Sequence, residues 1–141
     1  MGDVFTVTRR LRFADCDPAG IAFYPRLLEH LNGVVEDWCA GPLEYPFRDM
    51  HLDRNRGMPT VALSIRFSSP AKLGDMISWH LRVGRLGRSS VTLSVAAFGP
   101  DEQDVLHAEP TLVHTDFSRA PPKSEPFPDT VRERIEPFLV T

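Results

Sequence analysis

Two cysteines, Cys16 and Cys39, are all this 141-residue chain contains, too few for a disulfide framework and without the spacing of a metal site. The five histidines, His30, His51, His80, His107 and His114, form no HExxH helix and no Cys/His ligand set, so no metal is expected. No GxGxxG or GxxxxGK[ST] loop offers a phosphate cradle, and no Gly-x-Ser-x-Gly elbow presents a serine nucleophile. No apolar run approaches the ~20 residues of a membrane span, and no basic stretch followed by an apolar one marks a signal peptide. Net charge is −3, which leaves no global electrostatic case for nucleic acid. Two unpaired cysteines without a framework suit a reducing compartment, so a cytoplasmic location is expected.

What is present is ordinary in bulk: 42% hydrophobic and 25% charged residues, the profile of a globular chain. The length fits one domain over residues 1–141 with a core of its own. Residues 4–13 alternate as a strand, with Phe5, Val7, Leu11 and Phe13 on the apolar side and Arg9 interrupting it. Leu27, Leu28, Leu31, Val34, Val35 and Trp38 recur at three- and four-residue steps and predict a helix over 25–40, stopped by Gly41-Pro42. A long connection follows, with one short helical piece near Arg48 to Leu52. Then come strands centred on Val61–Phe67, Ile77–Val83, Val91–Ala97 and Val105–Phe117. Pro110 in the last implies an edge or a bulge, because proline gives a ladder no N–H. Asp129 is placed to cap a short terminal helix. A strand, a long helix and then four alternating strands is an α+β pattern.

The stretch from Ala14 to Pro25 carries the chemistry. Asp17-Pro18-Ala19-Gly20 has the residues of a type I turn, with Asp first, Pro second and Gly fourth. Tyr24-Pro25 then opens the helix, where proline's missing N–H costs nothing. A carboxylate on a tight turn beside a helix N-terminus suits attack on a carbonyl. Asp15, two residues earlier, falls on the same side as Asp17 if the chain is extended. It either tunes Asp17 or makes structural hydrogen bonds. Cys16, flanked by two carboxylates that disfavour a thiolate, is expected to be inert.

Asp15-Cys16-Asp17-Pro18-Ala19-Gly20, followed by Phe23-Tyr24-Pro25, resembles the signature of the 4-hydroxybenzoyl-CoA thioesterases. The resemblance implies the hotdog fold, an antiparallel sheet wrapped around one long central helix, in a homo-oligomer (a dimer or a dimer of dimers) with sites at the subunit contact. It implies an acyl-CoA substrate, water as second substrate, and no cofactor. It assigns Asp17 as nucleophile or general base and the Tyr24 N–H as donor to the thioester oxygen. Phe23 either lines the acyl site or belongs to the core. Tyr24 stands where short-chain relatives carry His, which favours an aromatic acyl group. Gly57 lies in a segment similar to one near the family's acyl site and is equally a turn glycine. Arg85, Arg88 and Ser89 are candidates for the CoA phosphates or simply a solvated hairpin. The family's segment there resembles Arg-Arg-Lys-Ser, whereas this chain has Leu86-Gly87 before Arg88-Ser89. A short-chain aliphatic acyl-CoA thioesterase and a non-catalytic acyl-CoA-binding domain are the rival readings.

Overall fold

A computed structural model of the chain describes residues 2–140. Strand β1 (Phe5–Arg10) leads through a 3-10 turn at Phe13–Asp15 to helix α1 (Tyr24–Ala40). A π-helical turn at Asp49–Asp53 occupies the expected short helical piece. Then follow β2 (Arg56–Gly57), β3 (Thr60–Phe67), β4 (Met76–Leu86), β5 (Ser90–Phe98), β6 (Asp104–Val113), β7 (Thr115–Asp116), β8 (Lys123–Ser124) and helix α2 (Asp129–Ile135).

Five strands form one antiparallel sheet in the order β1-β4-β5-β6-β3, and β2, β7 and β8 form a small second sheet. The period-2 patterns of β4 and β5 turn Ile77, Trp79, Leu81, Val83, Val91, Leu93, Val95 and Ala97 to one buried face. The helical stripe of α1 supplies Leu27, Leu31, Val34, Val35 and Trp38 to the same core. Trp79, fully buried, is worth about 3–5 kcal/mol against alanine. Arg9 breaks the apolar side of β1 because its guanidinium pairs with Asp37 of α1.

Two expectations are corrected outright, and that of an edge or a bulge at Pro110 is corrected in its first alternative. Pro110 lies on an interior strand, with Leu63 of β3 opposite it on one side. On the other side the β5–β6 ladder runs from Thr92↔Thr111 to Val95↔Ala108 without a bridge at Pro110. A gap in one ladder, with a shift of register in β3 between Thr60 and Ala62, accommodates the missing N–H. Asp129 sits in the first turn of α2 and makes no cap; Pro128 holds that position. Phe13 is 83% exposed, because the chain leaves the strand at Arg10 and winds into the 3-10 turn.

β3 is one of the two edges of the sheet, and its alternating side is open. Val61, Leu63 and Phe67 are exposed although they continue the inner face. No helix among the described residues is long and apolar enough to cross a membrane.

Candidate active site

The Asp17 turn forms as its residues require. The Gly20 N–H donates to the Asp17 carbonyl at 2.9 Å, and Gly20 takes φ +79°, a region where a side chain would be strained. Asp17 Oδ1 accepts the Ala19 and Ile21 N–H groups at 2.9 and 3.3 Å. Oδ2 has no hydrogen-bond partner among the described residues. The turn is held from outside as well. Gly20 and Ala71 carbonyls accept the Leu73 and Ala22 N–H groups, and Leu11 exchanges two bonds with Gly74 and Asp75. The carboxylate is thus oriented by the backbone of its own turn.

Half-buried Asp17 lines a cavity of about 610 Å³ with Phe13, Ala14, Cys16, Pro18, Gly20 and Leu73. Phe13 and Leu73 make its wall largely apolar. Neither was marked by the sequence: Phe13 alternates like a core residue, and Leu73 comes near through bonds between distant loops. Burial pushes the Cys16 thiol up, and Asp15, Asp17 and Asp75 push it further. That agrees with an inert cysteine.

Asp15 does not share the side of Asp17. The 3-10 turn rotates it towards α1, where Oδ2 accepts the Arg12 N–H at 2.9 Å and meets His30 Nε2 at 3.2 Å. Burial raises its pKa, but the Arg12 N–H, the His30 contact and the Arg26 charge outweigh this, and the net shift is downward. The Asp15 carbonyl accepts the Phe23 N–H at 2.8 Å, which docks the helix start onto the Asp17 segment.

Helix α1 begins at Tyr24 with Phe23 as N-cap and proline in its first turn. The Arg26 N–H turns back to the Phe23 carbonyl and Pro25 has no N–H. The Tyr24 N–H, which meets no acceptor among the described residues, is therefore the free donor of the positive helix end. The Phe23 and Tyr24 rings stand edge to face at 5.9 Å, and Tyr24 meets Phe67 of β3 at 6.1 Å. Both rings of the helix start are half exposed or more.

The remaining sequence candidates lie elsewhere. Gly57 is buried in β2, where a Cβ would come within 2.7 Å of Phe117 and 2.9 Å of His51. Close packing accounts for it. Arg85, Arg88 and Ser89 stand at the far end of β4, whose eleven residues span about 33 Å. Arg85 lines a cleft with Thr92, Ser94 and Glu109, and Arg88 a different one with Phe127 and Arg132. Within one chain these groups do not meet Asp17. Among the described residues no cluster of His, Cys, Asp or Glu is arranged to hold a metal.

An antiparallel sheet packed against one long helix is the architecture of the hotdog class of thioester hydrolases. A family model described as the Thioesterase-like superfamily matches residues 11–135, and the chain belongs to that superfamily. It is 27% identical to a 1,4-dihydroxy-2-naphthoyl-CoA hydrolase of Synechococcus sp. (strain WH7803), over 95% of this chain and 90% of that protein. It is 27% identical to the 4-hydroxybenzoyl-CoA thioesterase of Pseudomonas sp. (strain CBS-3), over 77% and 81%. The crystal structure of a thioesterase superfamily protein from Jannaschia sp. CCS1 superposes with a TM-score of 0.87 at 30% identity, covering 98% of this chain and 94% of that one.

Proposed function

We propose that this protein hydrolyses an aromatic acyl-CoA, of the 4-hydroxybenzoyl kind, to the free acid and CoA. The observation that carries the reading is the state of Asp17: one carboxylate oxygen is tied into its turn, the other has no partner among the described residues, and the side chain lines a largely apolar cavity. The unpaired oxygen acts on the thioester carbonyl as nucleophile, expelling the CoA thiolate and leaving a mixed anhydride for water to cleave. Acting instead as general base, it takes a proton from the water that attacks. In both cases negative charge develops on the carbonyl oxygen, and a free N–H at a helix start is suited to receive it. Tyr24 supplies that N–H. Phe13 and Leu73 offer an apolar surface to an acyl ring. Two relatives named for aromatic acyl-CoA substrates support that choice of acyl group.

The working unit of this proposal is a homo-oligomer, a dimer or a dimer of dimers. β3 is an unpaired edge carrying exposed Val61, Leu63 and Phe67, an arrangement that soluble proteins cover. A second copy also resolves the distance problem, since Arg88 and Ser89 can reach CoA phosphates only from a neighbouring chain. Two free cysteines suit a cytoplasmic setting.

A panel of acyl-CoA esters, with released thiol detected, tests the reading. Benzoyl and hydroxybenzoyl esters should exceed butyryl-CoA in kcat/KM by about ten-fold or more, the scale of a ring's fit in an apolar pocket. A preference for butyryl-CoA transfers the assignment to the aliphatic rival. Binding of CoA esters without turnover of any transfers it to the non-catalytic one.

A further inference from the structure

A second cleft, of about 350 Å³, lies behind the Asp17 segment and is walled by Thr8, Arg9, Arg10, Arg12, Asp15 and His30. It shares no lining residue with the Asp17 cavity. Three arginines, a histidine and one carboxylate line it, and that carboxylate is already engaged by the Arg12 N–H and His30. Arg9 is held by Asp37 through Nη2. Arg10 and Arg12 form no ion pair among the described residues.

Two residues of the cleft also hold a nitrogen that is closed to solvent. Four buried side-chain nitrogens lack a partner among the described residues: Arg9 Nε, His30 Nδ1 and the indoles of Trp38 and Trp79. The indoles belong to the core, and the other two belong to residues of this one cleft. Buried donors without acceptors are costly and rare in native proteins. Arginines that share one cleft with a single, already engaged carboxylate leave positive charge for an anion to meet. The wall is almost all polar, which excludes an acyl chain or ring. Its volume suits a small ligand. Guanidinium forks match the oxygens of a tetrahedral dianion, each taking two.

We propose that this cleft is a phosphate-binding site, separate from the thioester cavity, in which Arg10 and Arg12 hold the dianion with Arg9 and His30 behind it. The site communicates with the reaction site through Asp15. Its carboxylate lines the cleft, and its carbonyl accepts the Phe23 N–H at the start of α1. An anion that draws Arg12 or His30 towards itself shifts the segment that presents Asp17. The same chemistry has two sources, a free phosphomonoester or the phosphate carried by the CoA nucleotide.

Inorganic phosphate titrated into the full-length protein, followed by calorimetry and amide NMR, tests the site without any assay of turnover. The expected result is saturable binding of one phosphate per chain, with shifts confined to residues 8–15 and His30. Arg10→Gln with Arg12→Gln should weaken it at least ten-fold, and the Lys-for-Arg pair, which keeps the charge, should weaken it less. Both arginines are exposed, so melting temperature serves as the check on folding. Absence of saturable binding overturns the proposal, and so does binding that the glutamine pair leaves intact or that shifts Arg88 and Arg132 instead. CoA and pantetheine, added to the phosphate-bound protein, separate the sources. Displacement by CoA alone assigns the cleft to the nucleotide phosphate, and retention under both assigns it to a free phosphomonoester. Because binding is read directly, its failure leaves the thioesterase reading standing, and failure of that reading leaves the site standing.

Discussion

Two polar regions stand at opposite ends of the strands, and they are built on opposite terms. At the end near β2, β7 and β8, the polar groups are closed on one another. Arg56 donates Nε and Nη2 to the two oxygens of Glu125 at 2.7 and 3.1 Å and meets Asp116 at 2.9 Å. His114, only 1% exposed, places Nε2 2.9 Å from the Tyr45 hydroxyl and Nδ1 3.2 Å from the Glu125 carbonyl. At the other end, Asp17 Oδ2, the Tyr24 N–H and the Arg10 and Arg12 guanidinium groups have no partner among the described residues. A network whose members satisfy one another holds a fold together. Polar groups left open are the ones available to a ligand.

Substitutions at the two ends should therefore separate activity from stability. The largest effect belongs to Asp17→Asn. Its amide oxygen still accepts the two turn N–H groups, so melting should move by no more than about 2 °C, while kcat falls about 10²-fold or more. An unchanged rate would move the chemistry away from this carboxylate. Tyr24→Pro comes next. Proline is at home at a helix start, and Phe23 already has the extended backbone (φ −77°, ψ 120°) that a following proline requires. It removes the N–H together with the ring that meets Phe23 and Phe67, so it is read against Tyr24→Ala, and a loss of about 10²-fold is expected for one donor to the developing oxyanion.

At the closed end the loss falls on stability. His114→Ala leaves the buried Tyr45 hydroxyl without its partner and should cost about 2–3 kcal/mol in urea unfolding, with the rate per folded molecule kept. The pH dependence carries a sign. Burial lowers the His114 pKa, against a smaller upward pull from Glu125. The unfolded chain then takes up the proton first as pH drops below about 6.5. His114 thus contributes stability that is present above about pH 6.5 and is lost as pH falls towards its lower folded value. The alanine variant should show a flatter acid limb in the same unfolding series. The smallest effect is Tyr24→Ala, which keeps the N–H: a rate within about ten-fold of wild type. A loss as large as that of Tyr24→Pro would assign the work to the ring.

The local features were legible in the residues themselves. Asp17-Pro18-Ala19-Gly20 specifies its turn through four neighbours, and the α1 stripe states its own period. Contacts between distant segments were not legible. Asp15 and Asp17 look alike in the sequence, yet one serves His30 and the other a cavity, because a single 3-10 turn rotates the first away. Phe13 continues an apolar alternation but ends in the open. Leu73 joins the site only because the Gly20 and Leu73 loops are hydrogen-bonded. Arg85 and Arg88 lie near each other in sequence and at one end of β4, but their side chains border different clefts.

By itself the sequence determined the long elements, the tight turn that carries the carboxylate and the place where the helix begins. Those depend on φ/ψ preferences and on periodicity over a few residues. The tertiary structure alone decided which side chains close on each other and which stay open. Arg56 finds Glu125 across 69 positions and Arg9 finds Asp37 across 28. Such partners are chosen by the burial of the whole core, and no short stretch of chain contains that information.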